Sequence, residues 1–463
     1  MDLKINQWLK KIDILESQIY SIPQYIKSGC LVGIKGIVLE VKGIYLPIGS
    51  TCFIDKLYSN QDVKKQCEVV GFKDNIMFII PLDGIVDGLC YGDRVFFNYS
   101  VDITIKKLKK QVPLGSNVLG RILDGYGNPL DKHGAVCVNT YDDTLSAKTI
   151  NPLQRKPIKK ILDLGIRSIN SFLTVGLGQR IGLFSGSGVG KSVLLGMIAK
   201  YSVADVVIVA LIGERGREVK DFIENILGKE GLNHSVVIAA PADTSALSKV
   251  QGALYATRLA EYFRDKNKNV LLIMDSLTRY AMSLRDISLS LGELPVIKGY
   301  PSSVFSMLPN LIERSGNSNL NNGSISAIYT VLTEQDEIND PVSDIAKSVL
   351  DGHIVLSRAL ADLGHYPAID ISSSISRVMT NLVTVEHVNK SLFLKQLISI
   401  YKKNEDLINM GAYVKGCNVL LDKAVKYKIY LDKFLQQDML SNISFNDSYM
   451  QLEKLFNDVN TNR

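Results

Sequence analysis

A glycine-rich turn between a predicted strand and a predicted helix constrains this chain more than any other feature. The turn reads Ser185-Gly186-Ser187-Gly188-Val189-Gly190-Lys191-Ser192. It follows the apolar run Arg180–Phe184 and precedes the apolar run Val193–Ala199. In such a loop, backbone N–H groups and the N-terminus of the following helix converge on an anion. The sequence therefore predicts a nucleotide-binding loop in which Lys191 contacts the β- and γ-phosphates and Ser192 binds Mg²⁺.

Ser185 stands at the first position of this loop, where the usual pattern has glycine. We expect this departure to be mild, because serine is also small. Gly186, Gly188 and Gly190 let the backbone wrap around phosphate oxygens that a Cβ atom would push away. Together with Ser187 and Val189, they complete a predicted ATP-binding segment that runs from Ser185 to Ser192.

Composition and charge narrow the remaining possibilities. A chain of 463 residues with 46% hydrophobic and 22% charged residues is typical of a globular protein with roughly two to four domains. The net charge of +6 permits contact with nucleic acid or acidic membranes but requires neither. Six cysteines without a C-x-x-C pair favour reduced thiols in a cytosolic protein. We expect neither a signal peptide nor a membrane-spanning helix, because charged residues interrupt the apolar runs.

Changes in hydrophobic periodicity divide the chain into predicted domains. Short β-like runs separated by Asp-Gly pairs indicate a small antiparallel barrel. Beyond the glycine-rich loop, strand-like and helix-like runs alternate, which indicates βαβ units and a parallel sheet covered on both faces. The predicted organisation is an N-terminal amphipathic helix and lead-in over 1–27, a β-barrel over 28–105, a linker and junction over 106–155, an α/β nucleotide domain over 156–384 and a helical domain over 385–463.

The N-terminal segment carries an apolar stripe at helical spacing, formed by Ile5, Trp8, Leu9, Ile12, Leu15 and Ile19. The stripe is consistent with a helix packed on its own protein. It is equally consistent with a docking helix for a partner or a membrane surface. A basic run at Lys106–Lys110 follows the predicted barrel and is typical of a solvated linker.

Two carboxylates are placed to complete a site for phosphoryl transfer. Asp275 ends the hydrophobic run Val270–Met274, and Glu214 follows the β-branched run Asp205–Ile212. Because the carboxyl ends of parallel strands meet at one edge of a sheet, we expect both acids near the phosphate-binding loop. Asp275 would contact Mg²⁺ through water, and Glu214 would hold an attacking water in line with the γ-phosphate. The alternative for Glu214 is an acid in a surface loop.

Several separate segments together resemble the catalytic subunits of rotary ATP synthases: Ser185–Ser192, Gly213–Glu218, Leu271–Tyr280, Asp351–Arg358 and Gly364–Asp370. Within that superfamily, other segments are similar to the ATPases of type III protein export, with the flagellar export ATPases as the closer match: Phe184–Ser192, Asp275–Met282 and Lys298–Phe305. The resemblance covers essentially the whole chain. Its departures are Ala246, where proline is usual, and an asparagine-rich loop at Asn317–Asn322.

The resemblance implies a RecA-like P-loop ATPase core with a parallel sheet, an N-terminal small β-barrel and a C-terminal helical domain, with six subunits in a ring. It implies that Glu214 is the catalytic glutamate and that Arg215 and Arg279 are active-site arginines. It also implies that Tyr366 contacts adenine and that Arg377 is an arginine finger for the ATP of a neighbouring subunit. An acid at position 214, where the non-catalytic synthase subunit carries glutamine, favours an active enzyme.

The activity implied by the resemblance is Mg²⁺-dependent ATP hydrolysis that energises export of flagellar proteins. The implied partners are further copies of the chain, a regulatory or stator protein at the N-terminal helix, a coiled-coil stalk protein, a membrane export gate, and export substrates with their chaperones. The implied location is the cytoplasm, with the assembled complex peripheral at the inner face of the cytoplasmic membrane. The injectisome form of this enzyme is the first alternative. A non-hydrolysing ring component and a RecA-like ring translocase on nucleic acid are the others, although no basic and aromatic groove for nucleic acid is evident.

Overall fold

Six strands with alternating burial close into a barrel near the N-terminus. The computed structural model describes residues 28–55, 64–97, 111–137, 140–142, 150–318, 322–333, 340–416 and 418–461, together with the single residues 8, 11, 12, 15 and 145. The barrel strands are β1 (Ser28–Lys35), β2 (Val38–Lys42), β3 (Thr51–Asp55), β4 (Lys65–Lys73), β5 (Ile76–Pro81) and β6 (Arg94–Phe96). They pair antiparallel in the order β1-β2-β5-β4-β3-β6. Leu31, Val41 and Ile79 are among the apolar side chains that fill the interior.

A mainly parallel sheet forms the centre of the molecule. Its strand order is β17-β16-β10-β15-β13-β11-β12-β8, with β14 paired to β15. Among the described strands of this sheet, only β14 and β17 run antiparallel to their neighbours. The strands after the barrel are β7 (Val112–Leu114), β8 (Ile122–Leu123), β9 (Thr140–Asp142), β10 (Arg180–Ser185), β11 (Val206–Ile212), β12 (Ser235–Ala240), β13 (Asn269–Asp275), β14 (Gly316–Asn317), β15 (Ser324–Leu332), β16 (Gly352–Val355) and β17 (Ile375–Ser376). β7 and β9 pair separately.

Helices cover both faces of this sheet. They are α1 (Arg167–Phe172), α2 (Lys191–Tyr201), α3 (Gly216–Asp221), which continues into a π-helical turn (Phe222–Leu227), α4 (Gly228–Asn233), α5 (Ala246–Asp265), α6 (Leu277–Ser290), α7 (Ser302–Ile312), α8 (Pro341–Val349), α9 (Arg358–Asp362), α10 (Met379–Leu382), α11 (Val385–Asn409), α12 (Val419–Leu435) and α13 (Phe445–Thr461). Three-residue 3₁₀ turns lie at Ser116–Val118 and Pro152–Gln154.

Alternate residues of the buried strands belong to two different cores, because successive side chains of a strand point to opposite faces. Ile208 of β11 joins the core under α5, α6 and α7. Its neighbour Val207 joins the core that contains α1, α2 and the C-terminal helices α11, α12 and α13. The helical C-terminal region is therefore packed against the nucleotide-binding sheet. This architecture confirms the predicted fold class, with a barrel, a parallel P-loop core and C-terminal helices.

The barrel is joined to the central domain through α5. Val38 and Ile80 of the barrel share a core with the apolar residues of α5. At the rim of this contact, the Ser245 hydroxyl donates to the carbonyl oxygen of Leu82 (2.9 Å), and the Gln251 amide donates to the carboxylate of Glu68 (2.8 Å). Apolar packing and polar bonds together fix the orientation of the barrel on the central domain.

The segment 106–155, predicted as a linker and junction, contributes to the central domain in its described part. β8 extends the sheet beside β12, and Val118 and Leu123 are buried in the core under α5. β8 is only two residues long and is surrounded by turn residues, so it shows no hydrophobic periodicity from which it could be predicted. The basic run Lys106–Lys110 and Asn319–Asn321 of the asparagine-rich loop lie outside the described residues.

Only part of the predicted N-terminal helix is described. Trp8, Ile12 and Leu15 are helical, and their side chains are 67%, 52% and 56% exposed. Their exposure leaves the docking function of the stripe a prediction. Among the described residues, none of the helices has both the length and the apolar character needed to cross a bilayer.

Candidate active site

The glycine-rich loop connects β10 to α2, as predicted. Ser185 is the last residue of β10, so its backbone is extended and a serine fits there without strain. Gly188 (φ 74°) and Gly190 (φ 84°) adopt the left-handed conformation that favours glycine. Val189 between them is buried and anchors the loop to the core. The loop backbone is thus shaped around the N-terminus of α2, where an anion binds favourably.

Lys191, at the start of α2, contacts both predicted carboxylates. Its Nζ atom lies 2.5 Å from Oδ1 of Asp275 and 3.2 Å from Oε1 of Glu214. Asp275 is the last residue of β13, and Glu214 follows β11, its neighbour in the sheet. The three side chains are 4–16% exposed. The structure therefore brings together, at the carboxyl edge of the sheet, three residues that the sequence places far apart.

The charges in this cluster stabilise one another. Burial alone would lower the pKa of Lys191, but the negative charges of Asp275 and Glu214 outweigh it and raise this pKa. Burial raises the pKa of Asp275, while the bonds from Lys191 and Thr330 act in the opposite direction. Lys191 is therefore a cation, and phosphate oxygens can replace the two carboxylates as its partners.

Tyr366 lies beside the phosphate-binding loop. A Cβ atom on Gly190 would be 3.2 Å from Cε1 of the Tyr366 ring, so the ring lies directly against the loop backbone. The side chain is 46% exposed, which leaves ring surface available for contact with a planar base. Its backbone carbonyl accepts a hydrogen bond from Gln437 N (3.0 Å), which ties this position to the chain after α12.

Arg215 and Arg279 are near this edge but contact neither carboxylate of the cluster. The exposed Arg215 side chain pairs with Glu218 (3.4 Å). The side chain of Arg279 is exposed and lies beside Gly213 (φ 75°), where a Cβ atom would be 2.8 Å from Cβ of Arg279. A glycine at position 213 therefore permits the close approach of α6 to the loop that carries Glu214.

Arg377 lies at the opposite edge of the sheet. It follows β17, which pairs antiparallel with the beginning of β16, and its N–H donates to Asp351 O (3.0 Å). The beginnings of β16 and β10 are joined by a bond from Asp351 N to Arg180 O (2.9 Å). At about 3.3 Å per residue, the length of β10 separates this edge from the phosphate-binding loop by roughly 17 Å. Arg377 therefore does not join the cluster around Lys191 in its own chain.

The donor set of the cluster fits Mg²⁺. The Ser192 hydroxyl and the Asp275 carboxylate are oxygen ligands, which this cation prefers. The described part of the chain contains no group of three or more His, Cys, Asp or Glu residues that could hold a metal ion. Ser192 and Asp275 alone suit an ion that takes one or two protein ligands and completes its coordination with nucleotide phosphates and water.

Two threonines that sequence analysis does not identify support the cluster. The Thr330 hydroxyl, on β15, donates to Oδ1 of Asp275 (2.7 Å). The Thr278 hydroxyl accepts from Leu332 N (2.9 Å) and holds the end of β15 to α6. A polar residue within the otherwise apolar second half of β15 is the sequence signal that could have indicated Thr330.

Comparisons with known proteins agree with this arrangement. The ATP synthase alpha/beta family, nucleotide-binding domain, matches residues 165–376, and the T3SS EscN ATPase C-terminal domain matches residues 383–454. The flagellum-specific ATP synthase of Buchnera aphidicola subsp. Acyrthosiphon pisum is 53% identical, with 98% of this chain and 97% of that protein covered. The chain belongs to the family of flagellum-specific ATP synthases. As a member of this family, it is an ATPase.

Other flagellum-specific ATP synthases and solved type III ATPases extend the comparison. The Salmonella typhimurium relative is 51% identical, with 98% of this chain and 99% of that protein covered. The assembled ATPase EscN from the enteropathogenic E. coli type III secretion system superposes with a TM-score of 0.84 at 41% identity, covering 92% of this chain and all of that chain. EscN in complex with its central stalk EscO superposes with a TM-score of 0.81 at 40% identity, again covering 92% and all of the two chains.

Proposed function

We propose that the protein hydrolyses Mg²⁺-ATP to energise export of flagellar proteins through a type III secretion apparatus. The observation that carries the proposal is the contact of Lys191 with both Glu214 and Asp275 beside a phosphate-binding loop. Identities of 51–53% to the flagellar relatives from Buchnera and Salmonella, against 40–46% to the solved type III secretion ATPases, favour the flagellar system over the injectisome alternative.

The contacts of Lys191 suggest how this chain's residues act on ATP. The phosphates bind at the loop and the N-terminus of α2, and Lys191 moves from the carboxylates to the β- and γ-phosphates. Glu214, no longer paired with Lys191, orients the attacking water. Ser192 and Asp275 would hold Mg²⁺, and the ion would supply positive charge to neutralise the phosphates. Tyr366 packs against the adenine, while Arg215 and Arg279, both exposed beside the site, act on bound nucleotide or at a subunit contact.

Arg377 acts on the ATP of a neighbouring subunit. Its position at the edge opposite the loop supports a role outside its own site, and the EscN relative is an assembled ATPase. Among the described residues, the Arg377 guanidinium pairs with no carboxylate and donates only to Lys347 O (3.1 Å). An exposed cation of this kind is available to an anion from another subunit. We infer a homo-oligomeric ring, a hexamer, with each ATP site completed by its neighbour.

Mixing two inactive variants tests this function and its shared site. Lys191→Ala removes the loop cation, and Arg377→Ala removes the finger, so each protein alone should lose about 10³-fold or more of its turnover. In a mixed ring, an Arg377→Ala subunit keeps its loop and receives Arg377 from a Lys191→Ala neighbour. ATP turnover should therefore return on mixing, measured at protein concentrations at which light scattering shows rings.

Two outcomes would contradict the proposal in different ways. Wild-type rings without ATP turnover would remove the enzymatic function itself. Mixed rings that assemble but remain as inactive as either parent would place the finger in its own chain. ATP binding by each variant, followed with a fluorescent nucleotide, separates loss of binding from loss of chemistry.

The partners of the proposed complex include a stalk protein, because the EscN relative binds its central stalk EscO. The exposed Trp8, Ile12 and Leu15 suit the N-terminal helix to a regulatory or stator protein. The export gate, export substrates and chaperones complete the proposed set, and the complex works at the inner face of the cytoplasmic membrane. Deleting residues 1–20 should abolish capture of the regulator in pull-downs and leave ATP binding intact, whereas loss of folding would support packing of the helix on its own protein.

A further inference from the structure

Arg180, the first residue of β10, and Gln179 before it hold the chain at Asp351. The backbone N–H and the guanidinium of Arg180 both donate to the Asp351 carboxylate, at 3.0–3.1 Å. Gln179, which is fully buried, donates from Nε2 to Asp351 O (3.3 Å) and to the Ser376 hydroxyl (3.0 Å). Asp351 is therefore held through its side chain and its backbone from a single point on β10.

The same group of bonds holds the base of Arg377. The N–H of Arg377 donates to the carbonyl oxygen of Asp351, which also accepts from Gln179. Ser376, the residue before Arg377, donates its hydroxyl proton to Thr174 O (2.8 Å) while it accepts from Gln179. The backbone on both sides of the finger position is thus fixed to β10, and the outer part of the Arg377 side chain extends from a rigid base.

We propose that Asp351, which is hydrogen-bonded to Gln179 and Arg180, is a positioning residue for the arginine finger. The inference rests on the proposed function of Arg377 at a neighbouring ATP site. The strand that holds Asp351 at its beginning, β10, ends in the phosphate-binding loop. It therefore connects a subunit's own nucleotide site with the finger that this subunit offers to its neighbour. A displacement of about 1 Å at a catalytic group costs up to roughly 10²-fold in rate, so the bonds that hold Asp351 are functionally significant.

Replacing Asp351 tests its positioning role, and replacing Glu313 provides a matched control. Asp351→Ala removes the carboxylate that pairs with Arg180 on the side where Arg377 lies. Glu313→Ala removes the carboxylate that pairs with the NH1 atom of Arg180 (2.6 Å) on the other side of the guanidinium. The Glu313 side chain has no bond to β16 or β17 among the described residues. We expect Asp351→Ala to lower kcat by roughly 10–100-fold with KM for ATP within about twofold, and Glu313→Ala to stay within about twofold in both.

Mixed rings locate the defect. An Asp351→Ala subunit has an intact loop, so mixing it with Lys191→Ala protein, which supplies an intact finger, should raise turnover. Mixing it with Arg377→Ala protein should not, because both partners then have defective fingers. In addition, the double variant Asp351→Ala/Arg377→Ala should be no slower than Arg377→Ala alone, since a residue that acts only through Arg377 has nothing further to lose.

Failure of the inference is distinguishable from failure of the proposed function. If wild-type protein is active and Arg377→Ala is not, the finger stands. An Asp351→Ala variant that is fully active, that binds ATP more weakly, or that is not rescued by Lys191→Ala then overturns the positioning role alone. If Asp351→Ala does not fold, Ser376→Ala, which removes the bonds to Gln179 and Thr174 without removing a charge, takes its place with the same expected pattern of rescue.

Discussion

The two ends of β10 show how differently one sheet treats its charged groups. At the carboxyl edge, Lys191 is enclosed between Asp275 and Glu214, so its charge is compensated within the chain. At the amino edge, Arg180 has the same kind of compensation from Asp351 and Glu313, but Arg377 beside it has no carboxylate partner in the described part of the chain. This difference is consistent with the proposed roles, in which one edge binds nucleotide and the other offers a cation to a neighbouring subunit.

The difference follows from what each edge must do. A loop that receives phosphate needs a cation that is held in place beforehand and can exchange carboxylates for phosphate oxygens. A finger needs a fixed base and an unpaired end, because pairing within the chain would have to be broken before it could act. The buried Gln179 and the bonds of Asp351 provide the fixed base without using the guanidinium of Arg377.

Apart from Lys191→Ala, the largest expected effect at the carboxyl edge is that of Glu214→Gln. The change keeps the size of the side chain and removes the charge that orients the attacking water, so turnover should fall by about 10²–10⁴-fold. Binding of ATP should persist, because Lys191 and the loop remain. Single-turnover hydrolysis with excess protein measures the chemical step directly. Near-normal turnover in this variant would assign the water-orienting role elsewhere, and Glu224→Gln, at an exposed acid of the π-helical turn, is a matched control.

A smaller effect is expected at Tyr366. Removing the ring with Tyr366→Ala should raise KM for ATP by roughly 5- to 150-fold, as expected for a stacking contact of about 1–3 kcal/mol. Tyr366→Phe keeps the ring and should leave KM nearly unchanged. Comparing ATP with inorganic triphosphate sharpens the assignment, since a ligand without adenine should bind both variants equally. If Tyr366→Ala weakened binding of ATP and of triphosphate equally, the ring would support the phosphate-binding loop and would not contact adenine.

The smallest effect is expected from Thr330→Val, which removes one bond to Asp275 and keeps the shape of the side chain. A bond of this kind contributes about 0.5–1.5 kcal/mol, so kcat/KM should fall by roughly 2- to 13-fold at neutral pH. The bond lowers the pKa of Asp275, so its loss should raise that pKa further. Because the carboxylate form is the active one, the acid limb of the pH profile should move toward neutral pH. An unchanged acid limb would mean that another group limits activity there.

Much of the carboxyl edge is predictable from sequence because each part of it has a local signal. Glycines at the positive-φ positions 188 and 190 indicate the loop. An acid at the end of an apolar strand indicates Asp275, and parallel strands must bring such ends to one edge. Arg215 and Arg279 show the limit of this reasoning. Both follow the expected strands, but their side chains are exposed and contact neither acid of the Lys191 cluster.

The amino edge and the domain packing depend on tertiary structure. The barrel, the alternating core, the helical C-terminal region and the phosphate-binding loop can be predicted from the sequence, because hydrophobic periodicity or the conformational needs of glycine indicate each of them. The folded structure is needed to see that β8 joins the sheet, that Thr330 donates to Asp275, and that Gln179 and Asp351 hold the base of Arg377. These contacts join residues up to about two hundred positions apart, and no local preference of the chain encodes which distant partner a buried polar group will meet.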